Sequence, residues 1–194
     1  MEEAAFYVQC TGQVESGDFG PLDNLYVRYA FHFGNDWVKA SGIETGLSQI
    51  ARKAPTHYEQ GVVWNFPVDV TFKSTNVYGW PRIAISVYGI DYLGRDVVRG
   101  YGSALVPLTP GQHVIEVDTY TPVATSTFNQ LMAWLLGNPP EFFDSKFVCQ
   151  GDGREVTRVQ GAGVVRLKLN VTTKGMQKVG YTTASSSNQI QLVR

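Results

Sequence analysis

Between Val62 and Phe72 every second residue is large and apolar: Val62, Trp64, Phe66, Val68, Val70 and Phe72. The positions between them hold Val63, Asn65, Pro67, Asp69 and Thr71, a mostly polar set that Lys73 continues. Side chains alternate between the two faces of a strand, so this spacing buries one face and wets the other. A helical period would scatter the same six apolar groups around the axis. After the turn-rich segment from Lys73 to Pro81, the residues Ile83, Ile85 and Val87 repeat the alternation. The whole stretch from Val62 to Gly102 therefore reads as the wall of a β-sandwich.

The rest of the chain agrees with that architecture. A length of 194 residues suits one domain, and 20 glycines with nine prolines spread between short apolar runs favour many strands joined by turns. Further strands are expected near Ala4–Gln13, Asn24–Phe33, Asp96–Pro107 and Gln112–Tyr120. A final hairpin opens with GDGREVTRVQG, and its second arm runs from Gly163 to Lys174. Two short helices are expected. Ile43, Leu47 and Ile50 recur at helical spacing inside the otherwise loop-like Gly34–Gln60. Phe128, Leu131, Met132 and Leu135 make a second apolar stripe within Thr125–Leu136. Val98, Gly100, Gly102, Ala104 and Val106 form a face of small residues, read as a bulge in its strand. Residues 1–181 make a single domain, and 182–194 (TTASSSNQIQLVR with its flank) a flexible polar tail.

Motifs for a reaction are missing from the sequence. His32, His57 and His113 lie far apart and none has the short spacing of a metal pair. No G-x-S-x-G occurs, and Ser103 sits mid-strand. Gly151 and Gly153 lack the third glycine and the lysine of a phosphate loop. A calcium site needs several converging oxygens, whereas Asp91 and Asp96 flank a loop that also holds Arg95, and Asp118, Asp144 and Asp152 stand singly. A hydrolase built from loop carboxylates would need acids brought together by the fold. No catalytic, cofactor-binding or metal residue is nominated, and no cofactor is expected. Cys10 and Cys149 read as reduced, buried thiols, and the acidic start MEEAAFYVQC lacks the features of a signal peptide. A cytoplasmic protein is expected.

Charge is uneven along the chain. Up to Cys149 there are nine basic and fifteen acidic residues, a net of −6; from Gln150 there are seven and two, a net of +5. Arg166 and Lys168 project from one side of the last long strand, Arg154 and Arg158 lie on its expected hairpin partner, and Lys174 and Lys178 follow. These six cations are candidate contacts for anionic lipid headgroups. The same charges would equally protect an edge strand from aggregation.

The run WNFPVDVTFKSTNVYGWPRIAISVYGIDYLGRDVVRGYG, with GREVTRV downstream and Gly12-Gln13-Val14-Glu15-Ser16 near the start, resembles the B9 domain family of ciliary transition-zone proteins. The likeness extends from about Phe6 to Tyr181. It implies an all-β fold, a C2-type antiparallel β-sandwich of about eight strands. It also implies a non-enzymatic scaffold in the Meckel-syndrome (B9) complex at the ciliary transition zone and basal body. Such a subunit associates with other B9-domain proteins and with membrane proteins such as tectonics. The assembly is needed to build the cilium and gates the entry of membrane proteins into it. C2-type domains often bind phospholipid, which makes a peripheral lipid-binding module, with anionic lipids as ligands, the alternative. The family contributes no catalytic residues, and no nucleic-acid partner is expected.

Overall fold

The computed structural model describes residues 5–54, 61–91, 93–122, 148–149, 158–181 and 191–193. Among them are eight strands of six residues or more: β1 (Phe6–Asp18), β2 (Leu25–His32), β3 (Trp37–Gly42), β5 (Val62–Ser74), β6 (Arg82–Ile90), β7 (Asp96–Leu105), β8 (Gly111–Pro122) and β9 (Val159–Lys174). Two strands of three residues, β4 (Thr45–Leu47) and β10 (Gln191–Val193), complete the set. The only described helical element with caps is a 3-10 turn at Met176–Val179. All pairings are antiparallel except β10 with β8.

The strands follow the order β3-β5-β1-β9-β8-β7-β6-β2-β4. That path divides into two layers. β3, β5, β1, β9 and β8 make the first, and β7, β6, β2 and β4 make the second. At the seam, β7 and β8 share a single paired position, Tyr101 with Tyr120. The small-residue face of β7 lies here. A Cβ at Gly100 would sit 2.8 Å from Thr119 Oγ1, and one at Gly102 would sit 2.8 Å from Val117 Cγ1. A bulge is also present, because Val87 faces Gly100 while Tyr88 faces Val98. The glycines thus answer to close approach by β8, and the bulge alone does not account for them.

The alternation in β5 is obeyed almost residue by residue. Val62, Trp64, Val68, Val70 and Phe72 are buried, while Val63, Asn65, Pro67, Asp69 and Lys73 are exposed. The dry face of β5 packs across the core on β2. The Phe31 and Phe72 rings meet edge to face at 5.5 Å, and the Trp64 indole N–H donates to the Leu25 carbonyl at 2.9 Å. An aromatic chain continues through Trp37, which meets Phe6 at 5.4 Å and Trp80 at 5.1 Å. Rings in such contacts add stabilisation beyond the area they bury. The turn before β6 is tied in by its backbone: the Trp37 indole N–H donates to the Tyr78 carbonyl at 2.7 Å, and that of Trp80 to the Val106 carbonyl at 2.9 Å.

Three expectations are corrected. Ile43, Leu47 and Ile50 are not on a helix. The chain there is extended, and their exposures of 64%, 59% and 49% show that their spacing reports no buried stripe. Second, Gly34–Gln60 is loop only in part: the structure places β3 and β4 within it, with 55–60 outside the described residues. Third, no hairpin turn separates Arg158 from Arg166. β9 runs unbroken from Val159 to Lys174 and pairs with β1 and β8. Gly163, read as the start of a second arm, sits inside the strand, where a Cβ would lie 2.3 Å from the Asp18 carbonyl oxygen. The stripe at Thr125–Leu136 lies outside the described residues, and so does most of 182–194.

Two substitutions test this packing. Phe72→Ala should lower unfolding free energy by about 3–5 kcal/mol, read from denaturant midpoints at constant m-value. Gly163→Ala should cost about 1–3 kcal/mol through overpacking. A neutral result at Gly163 would restore the turn reading.

Candidate interaction surfaces

The outer face of the first layer is polar, and cross-strand register decides what its charges do. Arg166 on β9 stands opposite Glu116 on β8, and the two are ion-paired at 2.9 Å. Lys168, further along the same strand, pairs with Glu15 of β1. A depression of about 630 Å³ beside them is lined by Glu15, Asp18 and Glu116 but by Arg166 as its only cation among the described residues. Exposed ion pairs of this kind contribute about 0–1 kcal/mol each. Their larger effect is to neutralise the two cations toward an anionic ligand.

The remaining candidate cations separate. Arg154 lies outside the described residues, and Arg158 is exposed at the approach to β9. Lys174, at the end of β9, is exposed and faces Tyr7 of β1 across the ladder. On the other side of Tyr7 stands Lys73 of β5, whose Nζ lies 6.0 Å above the ring. Neighbouring strands run about 4.8 Å apart, which puts the Lys73 and Lys174 backbones roughly 10 Å from each other with the tyrosine between. Lys178 is exposed on the 3-10 turn that follows. Reading the sequence missed Lys73, because its position beside Lys174 depends on β1 lying between β5 and β9.

The acids considered for calcium serve their own loops. Asp91 accepts from the Leu93 and Arg95 amides at 2.8 and 2.9 Å, and its other oxygen pairs with the Arg95 guanidinium at 2.8 Å. The Arg95 amide, then its side chain and the Leu93 amide, hold the Asp91 carboxyl below the usual carboxylate range. A lowered value means the contribution of this staple is in place above the ordinary carboxylate range and is lost only under stronger acid. Asp23 is held low in the same way, chiefly by the Lys53 amide, which donates to it at 2.8 Å. Among the described residues no three His, Cys, Asp or Glu side chains converge as a metal site.

Both thiols are buried, and one described histidine is placed by a hydrogen bond. Burial, with the Asp69 charge adding to it, pushes the Cys10 thiol up to about 12. Cys149 is buried. His113 is buried in β8 with Nε2 placed 2.8 Å from the Thr109 carbonyl, and His57 lies outside the described residues.

The second surface is the strap from β3 to β4. β3 is the edge of the first layer and β4 the edge of the second, so the chain crosses between layers within two residues. The Ile43 N–H donates to the Asp69 carbonyl on β5 at 2.9 Å, and the Glu44 carbonyl accepts from Phe31 on β2 at 2.8 Å. Val38, Ile43, Leu47 and Ile50 are all exposed along it. Exposed apolar side chains gathered on one segment make it a candidate contact surface.

Comparison with known proteins follows the same outline. A family model, B9-C2, described as "Ciliary basal body-associated, B9 protein", matches residues 8–172. B9 domain-containing protein 1 of Mus musculus is 51% identical over 186 residues, covering 96% of this chain and 91% of its own. The Homo sapiens protein of that name is 50% identical over 186 residues, with 96% and 91% covered. B9 domain-containing protein 2 of Xenopus laevis is 25% identical over 177 residues, with 91% and 98% covered. Among solved structures, a C2 domain of plant extended synaptotagmin 1 aligns at a TM-score of 0.36 and 10% identity, covering 88% of this chain and 95% of that one.

Cys10 should resist iodoacetamide at pH 8 in the native protein and react once the chain is unfolded, as followed by peptide mass spectrometry. Alkylation in the native state would contradict its placement on the dry face of β1.

Proposed function

The chain belongs to the B9 family of ciliary basal body-associated proteins, and from that premise we propose that it is a non-enzymatic scaffold subunit. It assembles with other B9-domain proteins and with transition-zone membrane proteins such as tectonics at the cytoplasmic base of the cilium. There the assembly supports construction of the cilium and gates the entry of membrane proteins. The observation that carries this reading is the family match over residues 8–172, which takes in nearly all of β1 through β9. Relatives named B9 domain-containing protein 1 and protein 2 both align along most of the chain. The family thus supplies more than one related domain with which a complex can be built.

The surfaces support a role in recognition. The Cys10 nucleophile is held neutral by burial, and Asp91 spends its oxygens on its own loop. What the fold offers a partner is paired charge on one face and an apolar strap along one edge. Co-expression of the full chain with the B9 domain-containing protein 2 counterpart of the same organism tests the reading. A complex of fixed stoichiometry that survives size-exclusion chromatography is expected. Separate elution of the two chains would sink it.

A second reading, peripheral binding to anionic lipid, is favoured by one observation: Lys73 and Lys174 flank the exposed ring of Tyr7 at one end of the first layer, and Lys178 is exposed on the turn that follows β9. Such cations contribute about 1 kcal/mol each near an anionic surface. Sedimentation with phosphatidylserine vesicles should be lost on reversing Lys73, Lys174 and Lys178 together, and largely kept on reversing Arg166 and Lys168. The opposite ranking would return the site to the middle of β9.

A further inference from the structure

We propose that the free edge of β4 is a strand-addition site for an extended, carboxylate-bearing segment of a partner protein. The inference rests on the assembly reading above and names the surface through which assembly occurs. Ladder bonds between antiparallel strands alternate sides along each strand. The Glu44 carbonyl accepts from Phe31, and the Ser48 amide donates to the Val27 carbonyl, both at 2.8 Å. With Leu47 opposite Arg28 and Thr45 opposite Ala30, the bonds to β2 fall on Glu44, Gly46 and Ser48. The amides and carbonyls of Thr45 and Leu47 therefore point away from the sheet. Only another polypeptide backbone offers donors and acceptors at the matching spacing.

The edge is short, a partial guard in itself, but it lacks two devices that the edge of the other layer carries. β3, the edge of the other layer, carries a bulge between Lys39 and Ser41, and Lys39 is charged and pairs with Glu44 at 3.9 Å. Bulges and lysines are the usual devices against edge pairing. β4 reads Thr-Gly-Leu and has neither. Its glycine sets the geometry: a Cβ at Gly46 would lie 2.6 Å from Tyr29 Cε1 and 2.7 Å from Phe66 Cε1. Without a side chain, β4 presses onto the core rings, and Leu47, its neighbour in the alternation, is turned outward at 59% exposure.

The chemistry of the occupant follows from what surrounds Leu47. A depression of about 460 Å³ is lined by Tyr26, Arg28, Thr45, Gly46, Leu47 and Tyr88. The two tyrosine rings stack at 5.2 Å with planes 11° apart, giving a paired aromatic wall beside Leu47. Arg28 is exposed beside them and has no ion-pair partner among the described residues. A strand laid along β4 with an apolar side chain over the tyrosines and an Asp or Glu toward Arg28 satisfies both features, and the guanidinium fork favours a carboxylate.

The test uses the full chain with the B9 domain-containing protein 2 counterpart as probe. Amide exchange at Thr45 and Leu47 should slow by about tenfold or more in the complex. Thr45→Pro removes an outward N–H and no bond to β2, so it should weaken the complex by about tenfold with the melting temperature unchanged. Arg28→Glu should weaken it too, and Arg28→Lys should recover part of the loss. A complex of unaltered affinity in Thr45→Pro and Arg28→Glu, with no protection at Thr45 or Leu47, would overturn the inference while leaving assembly standing. If the unaltered chains form no complex, the assembly reading fails and the inference falls with it.

Discussion

The contact between β5 and β2 is the one on which the remaining structure depends. Phe72 reaches Phe31 at 5.5 Å and Phe33 at 5.1 Å, and lies edge to face with Trp37 at 6.5 Å. One side chain of the first layer thus touches both the second layer and the start of the strap. Opposite it, β7 and β8 share one paired position, Tyr101 with Tyr120, among the described residues. A sandwich joined by one pairing on one side needs its other side held by packing, and the aromatic chain does that. The strap then runs along this side, with consecutive residues bonded to different layers.

Legibility in the sequence tracked burial. Alternation was informative where one face is dry: Val62–Phe72 was placed correctly because water exclusion imposes the period, whereas in Ile83–Val87 the intervening Ala84 and Ser86 are small and buried too. In the strap the same method failed. Ile43, Leu47 and Ile50 fall at helical spacing by coincidence, since all three are in solvent and no packing constraint generated the pattern. Gly163 misled for a related reason. Glycine near a run of turn-like residues suggests a turn, but here it makes room for the Asp18 carbonyl from a strand far off in sequence.

The cation candidates show a third limit. That Arg166 and Lys168 share a face was visible from their spacing. That Glu116 and Glu15 stand beside them was not, because strand order and register are tertiary facts. The same register carried Lys73 to the side of Lys174 and Tyr26 onto Tyr88. Charges counted along the chain gave an acidic front and a basic end. Folded, β9 lies between β1 and β8, and two of its cations, Arg166 and Lys168, are paired with acids across the ladder.

A protein with Arg166 and Lys168 paired, Cys10 buried and apolar side chains exposed along its strap is suited to being held among partners. We propose that such holding takes place in an assembly at the base of the cilium. This is tested most directly by expressing the fluorescently tagged full chain in ciliated cells that lack their own copy. A focus between basal body and axoneme and renewed exclusion of non-ciliary membrane proteins from the cilium are expected. Diffuse signal throughout the cell, with the membrane proteins still entering, would contradict it.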